Sequence, residues 1–221
     1  QPQQTAERLS RLMTARLDEL FSLLPPCSKF ADVGCDHGYI AQRMLLSGKC
    51  GHAVISDISE KCLKKAETLL KGEIEAGRAT AVVSNGLEKL PADCDLALIA
   101  GMGGEEIVEI LKRAPFLPAT LCLQPMKNAE KLRVALMVLG YRIEKDYTFR
   151  DGKFYDAILA VRGEDRLSAR EAQFGRTNLN ERPPAFLEKL QEERGKIDGY
   201  LERDLSAAAR GELVGDVQTA L

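Results

Sequence analysis

"FADVGCDHGYIAQRM", residues 30–44, reads as an apolar strand, a glycine turn and the opening of a helix. Loops that hold nucleotides and cofactors begin this way, but they normally keep glycine at their crowded points. Here Asp36 and His37 stand between Gly34 and Gly38. The ligand of such a loop has to suit a carboxylate and an imidazole.

Outward from this stretch, short apolar runs at 30–34, 53–56, 80–84, 96–100 and 120–123 alternate with helical patterns at 39–47, 60–71 and 105–112. Alternation of this kind predicts βαβ units, with a parallel sheet covered by helices on both faces. After a helix over 129–139 the rhythm changes. Strand-like runs at 141–149 and 153–161 flank Arg150-Asp151-Gly152, and Asp-Gly between strands signals a hairpin. Upstream, Leu9, Leu12, Met13, Leu17, Leu20 and Leu24 predict an amphipathic helix over 5–24, stopped by Pro25-Pro26.

Beyond Gly163 the composition turns to Arg, Glu, Leu and Ala. Phe186, Leu187, Leu190, Ile197, Leu201 and Leu205 then form one helical stripe after Pro183-Pro184. Gly195 and Gly199 weaken that helix by about 1 kcal/mol each. The organisation expected is a catalytic α/β domain over 1–163 and a helical appendage over 164–221.

The 221 residues suffice for one α/β core with an appendage. With 31 Lys plus Arg against 33 Asp plus Glu, binding to a polyanion has to come from a local patch. Six cysteines without a C-x-x-C pair, and only two histidines, predict no metal site and a reducing, cytoplasmic setting. No run has the length and apolarity of a bilayer span, and the first residues lack the apolar core of a secretory signal.

In open α/β sheets the ligand lies beyond the carboxyl ends of the strands. A dinucleotide loop would bring backbone amides to a pyrophosphate, which Asp36 would repel. Asp32 and Asp36 within one turn suit a cationic ligand. S-adenosylmethionine, with a sulfonium, an α-ammonium and no phosphate, fits. Asp36 is equally suited to cap a helix starting at His37, and the two roles are compatible. Asp57, ending "VISD", is placed either for the ribose hydroxyls of an adenosyl group or as an N-cap. Asn85 and Gly86 in "SNGLEKL" offer an amide for an adenine edge and a close backbone. In "LIAGMGGEEIVEIL", Gly101, Gly103 and Gly104 give a backbone surface on which a planar group can lie.

Taken together, "ADVGCDHGYIA", "NGL", "IAGMGG", "LQP" and "GKFYDAIL" resemble the bacterial tRNA adenine-N1 methyltransferases acting on position 22, the TrmK family. The likeness runs from about residue 16 to 163 and continues weakly in "FGRTNL" and "PPAFLEKL". It implies a Rossmann-like S-adenosylmethionine domain, a C-terminal coiled-coil domain and methylation of an adenine in tRNA. The chain departs from the family's usual pattern at Asp57 (Glu), Asn85 (Asp) and Met126 (Asn), and reads "DHGYIA" for "DHAYLP". The family's early Arg-Leu matches Arg16-Leu17, on a helix that would close over the cofactor.

Residues and resemblance together give a cofactor set of Arg16, Asp32, Gly34, Asp36, Gly38, Asp57, Ile58, Asn85, Gly86, Gly101, Met102 and Gly103. Gly104, Pro125 and Tyr155 fall on the substrate side. Asp36 would stabilise the cation formed on the base, and Gln124 would orient that base. His37 reads either as a polar partner in the site or as the plain start of a helix. Two rival readings are a small-molecule methyltransferase and a non-catalytic RNA-binding protein that keeps the cofactor pocket. A nicotinamide dehydrogenase is disfavoured by the loop spacing. The appendage either grips tRNA or, since its acids outnumber its bases, is a solvated or dimerising helix. Monomer and weak dimer both remain open.

Overall fold

A computed structural model describes residues 14–209 of the chain. Leu9, Leu12 and Met13 of the expected first helix lie outside the described residues, as does everything after residue 209. The elements run α1 (Ala15–Leu23), β1 (Cys27–Val33), α2 (Tyr39–Leu46), β2 (Cys50–Asp57), α3 (Glu60–Leu69), α4 (Lys71–Glu75), β3 (Ala79–Val83) and β4 (Leu96–Met102). Then come α5 (Gly104–Arg113), β5 (Thr120–Pro125), α6 (Ala129–Val138), β6 (Tyr141–Asp151) and β7 (Lys153–Arg162). The short α7 (Ala169–Phe174) and α8 (Arg176–Glu181) precede the 26-residue α9 (Pro184–Ala209).

The seven strands form one mixed sheet in the order β3-β2-β1-β4-β5-β7-β6. The first five strands in that order are parallel. β7 runs antiparallel to both β5 and β6, as the Asp-Gly turn predicted. Residues alternate between two cores. Phe30, Ala53, Ile55, Leu96 and Leu98 face α1, α2 and α3, whereas Ala31, Val33, Val54, Ala97 and Ile99 face α5 and α6. Burial on both faces is why these strands read as unbroken apolar runs. β1 and β4 are neighbours although β2 and β3 intervene in sequence, so the chain reverses direction across the sheet between them. Their carboxyl ends flank the crevice where open α/β sheets hold ligands.

The expected helix over 60–71 divides at Leu70, which is fully buried, and continues as α4. At the opening loop the helix starts where the 39–47 pattern puts it, and the alternative of a cap by Asp36 fails. α2 begins at Tyr39, after Gly38 at φ +74°, and has no side-chain cap. Asp36 itself is in the left-handed region at φ +47°, so it does not cap a helix starting at His37. Asp57 is not an N-cap either: Ser59 caps α3, its Oγ accepting from Cys62 N at 3.3 Å.

Residues after Gly163 are knotted to the sheet through buried charge. Arg133 of α6 and Asp146 of β6 are almost wholly buried, with Nε donating to Oδ2 at 3.0 Å. Arg133 Nη1 also donates to the carbonyls of Ala172 and Gln173, while Asp146 Oδ1 accepts from Thr177 N at 2.9 Å. Asn178 Oδ1 accepts from Thr148 N at 2.8 Å. Buried charges need this degree of pairing to be tolerated. Gly175, at φ +87°, passes so close that a Cβ would lie 3.0 Å from both Arg133 Nη2 and Asp146 Oδ2. The knot accounts for "FGRTNL" as a docking segment.

Among the described residues, no helix is long and apolar enough to cross a membrane.

Candidate active site

The carboxyl ends of β1 and β4, the start of α1 and the tip of the β6–β7 hairpin enclose a cavity of about 520 Å³. That is within the usual range for a small-ligand site. Its walls include Thr14, Arg16, Leu17, Asp32, Gly34, Cys35, Asp36, His37, Tyr39, Ala100, Asp151 and Tyr155.

The loop after β1 is folded inward on itself. Gly34 N and Cys35 N both donate to the Ser56 carbonyl, at 2.8 and 3.0 Å, and Gly38 N donates to Cys35 O at 2.8 Å. Three of the amides that a pyrophosphate would draw on are therefore already spent inside the loop. Gly34 is favoured by its left-handed backbone, φ +71°, and a Cβ there would also press on the flexible end of Met102 at 2.6 Å.

Asp32 is 5% exposed, and its carboxyl lines the cavity. Burial pushes its pKa from 3.8 up to about 7, against a lowering hydrogen bond from the Ala41 amide, and the nearby Asp57 charge adds to the rise. A cation in the cavity would relieve that desolvation. Burial, with the Asp32 and Asp57 charges, also raises the Cys35 pKa strongly, so this residue stays a thiol and is no nucleophile. Asp57 is half-buried at the tip of β2 with Oδ1 taken by Ser59 N at 2.8 Å, which leaves its second oxygen for a ligand. Ile58 beside it is 70% exposed, an apolar surface at the crevice edge.

Asp36 stands exposed at the mouth. Its Oδ2 is 2.8 Å from His37 Nδ1, and its Oδ1 is 3.7 Å from Lys65 Nζ. The His37 ring stacks on Tyr39, with centroids 5.4 Å apart and planes 1° from parallel. His37 thus belongs to the cavity wall and not to a helix start.

Several residues expected at the site have other work. Gly38 is tight against Ala66 and Leu70, and a Cβ on Gly86 would lie 2.6 Å from Ile110; both are packing positions. Asn85 is exposed and its Nδ2 donates to Glu88 Oε1 at 3.1 Å. A Cβ on Gly104 would fall 2.4 Å from the Asn128 carbonyl, so this glycine admits the loop before α6 and does not itself make room for a substrate. Gly103 caps α5 through its backbone, and Pro125 is buried.

Gln124 is fully buried, which corrects the expectation that its amide turns toward a base. Its Oε1 accepts from Arg16 Nη1 at 3.0 Å and Gly101 N at 3.2 Å, and its Nε2 donates to the Pro125 carbonyl at 3.1 Å. Gln124 positions Arg16. Gly101, at φ +77°, lies under that arginine, which also reaches within 5.6 Å of the Tyr155 ring.

Asp151 escaped the sequence reading because it was spoken for by the hairpin turn. Its Oδ2 accepts from Arg16 N at 2.9 Å, beside the Thr14 N-cap of α1. The hairpin tip thereby fastens α1 over the cavity. Tyr147, whose hydroxyl donates to Glu19 at 2.6 Å, adds a second fastening along α1.

A family model described as a methyltransferase domain matches residues 13–159. A putative tRNA methyltransferase of Mycoplasma pneumoniae is 33% identical over 132 residues, 60% of this chain and 62% of that protein. A Bacillus subtilis tRNA (adenine(22)-N(1))-methyltransferase is 28% identical over 161 residues, 69% of this chain and 66% of its own length. The match thus spans less than two thirds of these curated relatives. Among solved structures, a putative tRNA (m1A22) methyltransferase of Streptococcus pneumoniae, in complex with S-adenosyl-L-methionine, superposes with a TM-score of 0.79 at 26% identity, over 89% of this chain and 95% of that one.

Proposed function

The chain belongs to the methyltransferase-domain family, on its TrmK-like side, and from that premise we propose that it transfers a methyl group from S-adenosylmethionine to N1 of an adenine in tRNA, at position 22. The observation that carries the cofactor assignment is the buried Asp32 carboxyl in a cavity where the Gly34 and Cys35 amides are turned to the Ser56 carbonyl. Such a site attracts a cation and offers little to a phosphate. The relatives support tRNA as the substrate class.

When bound, S-adenosylmethionine supplies an electrophilic methyl group on a sulfonium. Asp32 would hold the α-ammonium, and the free oxygen of Asp57 the ribose hydroxyls. Ile58 and Asn85 would flank the adenine, and Arg16, set by Gln124, the carboxylate end. Gly34, Gly101, Met102 and Gly103 would line the approach, while Gly38 and Gly86 keep the loops packed close to it.

N1 of adenine carries an in-plane lone pair at neutral pH, so the chain need not remove a proton to create the nucleophile. Its task is to present that edge in line at about 3–3.5 Å. Asp36, held at the mouth between His37 and Lys65, offsets the positive charge that the purine gains. Tyr155, exposed to the cavity beside Arg16, borders the substrate side. The base must first leave its stack, which costs a few kcal/mol. Residues 164–221, with the coiled-coil character implied for α9, would grip the tRNA and help supply that energy. A tRNA substrate goes with a cytoplasmic site of action.

The deciding experiment incubates the protein with labelled S-adenosylmethionine and tRNA transcripts, then digests and maps the product by mass spectrometry. A label on N1 of adenine 22 is the expected result. Label on another atom or position would revise the site, and label passing only to small molecules would sink the tRNA reading.

A further inference from the structure

Met126 follows β5 immediately, at the carboxyl end of the sheet, and is a large apolar side chain left 42% exposed. It is not loose. Its backbone N donates to Met102 O at 2.8 Å, and its Sδ accepts from Gln124 Nε2 at 3.5 Å. The other end of that same buried carboxamide holds Arg16 in the cavity wall. One fully buried group therefore fixes both the cavity arginine and an apolar side chain turned to solvent.

Scattered exposed apolar residues need no explanation. An exposed thioether steered by a buried amide whose other end holds a cavity arginine is different, because its position is set in advance of any partner. The chemistry of the partner follows from the side chain. A thioether is a poor hydrogen-bonding group but polarisable, and it prefers flat unsaturated surfaces. In an RNA, phosphates and riboses are polar, and only the faces of the bases meet that description.

We propose that Met126 is the stacking residue for the target purine, a proposal that rests on the tRNA adenine-N1 reading above. The geometry of the reaction allows it. Attack by an in-plane lone pair points the edge of the ring at the methyl group, so both ring faces remain available to the protein. Met126 grips one of them.

The test is methylation kinetics of the full chain and its Met126→Ala and Met126→Leu variants on tRNA transcripts, with cofactor affinity measured in parallel by calorimetry. Removing the stacking surface in Met126→Ala lowers kcat/KM for tRNA by about ten-fold while the Kd for S-adenosylmethionine stays put. Met126→Leu, which keeps the apolar surface, recovers to within about three-fold of the parent. A Met126→Ala protein with parental kcat/KM overturns the proposal. So does a matching loss of cofactor affinity, which would move Met126 to the cofactor side. A parent chain that binds cofactor yet methylates no tRNA removes the functional reading and this inference together. An active parent with an indifferent Met126 removes only the inference.

Discussion

Nη1 of Arg16 and Oε1 of Gln124 meet at 3.0 Å across 108 residues of sequence, tying the first helix to the end of β5. The same oxygen serves Gly101 N, so replacing Gln124 strands two donors at once. Gln124→Leu is expected to cost about 1–3 kcal/mol of stability and to weaken cofactor binding as well. Arg16 is half-buried, and Arg16→Ala should cost less stability. The double variant should fall short of the sum of the two single losses, as contacting residues do. Thermal unfolding and calorimetry of the four proteins check this, and strict additivity would dissolve the link.

Asp32 gives a pH dependence with a definite sign. Its carboxyl ionises at about 7 in the folded protein against an ordinary 3.8, so the folded state holds the proton more tightly. This contribution to stability is complete below the lower value and is lost as pH rises through the upper one. Binding a cationic cofactor reverses the preference and expels the proton. Affinity for S-adenosylmethionine should therefore rise between about pH 5.5 and 7.5, with proton release visible as a buffer-dependent binding enthalpy. Asp32→Asn should flatten both curves. A flat parental profile would remove the ammonium from Asp32.

Asp36 lies at the mouth of the cavity and caps nothing, so Asp36→Asn leaves helix α2 intact. With the charge removed and the shape kept, turnover should fall by a factor of about ten or more while the cofactor Kd changes little. Single-turnover rates beside binding isotherms distinguish the outcomes. Equal losses in both would assign Asp36 to the cofactor.

Much of the sheet was legible because both of its faces are covered, which turns each central strand into an apolar run between glycine turns. What escaped was long-range or conformational. The pattern places the helix start at Tyr39, but nothing in the composition around His37 reveals that Asp36 itself takes left-handed backbone and so caps nothing. Gln124 looked like a substrate residue since a polar group at a strand end is normally turned to the ligand, and its partner lies on α1. The break in composition at Gly163 is real, yet Arg133 and Asp146 bind residues on its far side. Asp32, Asp36 and the carboxyl ends of β1 and β4 were readable because local chemistry and strand order suffice to bring them together.

The appendage's cations divide by their partners. Arg176 is committed to Asp165 and Glu171, and Arg194 pairs with Asp198. Among the described residues, Arg166, Arg170 and Arg182 form no ion pair, and the last two border an apolar notch of about 240 Å³ between α7, α8 and α9. Cutting the chain at Gly163 would strip Arg133 and Asp146 of partners, so full-length variants are the better probe. Arg170→Glu with Arg182→Glu should weaken tRNA binding and leave the cofactor Kd unchanged. The salt dependence should become shallower by about 0.9 for each phosphate that is no longer neutralised. Unchanged tRNA affinity at two salt concentrations would leave these arginines out of recognition. Arg176→Ala, by contrast, should register as a lower melting temperature.

The knot between Arg133 and Asp146 also bears on how the protein is made. A chain emerging from the ribosome completes β6 and β7 before the carbonyls of Ala172 and Gln173 and the amide of Thr177 exist to meet those two charges. Domains generally settle from the amino end as they are synthesised. Here the last edge of the sheet has to wait for residue 178, and a polypeptide released early would keep two charges it cannot bury. A chain that stops short of residue 178 is therefore expected to leave Arg133 and Asp146 under-paired and to be more open to proteases than the full chain.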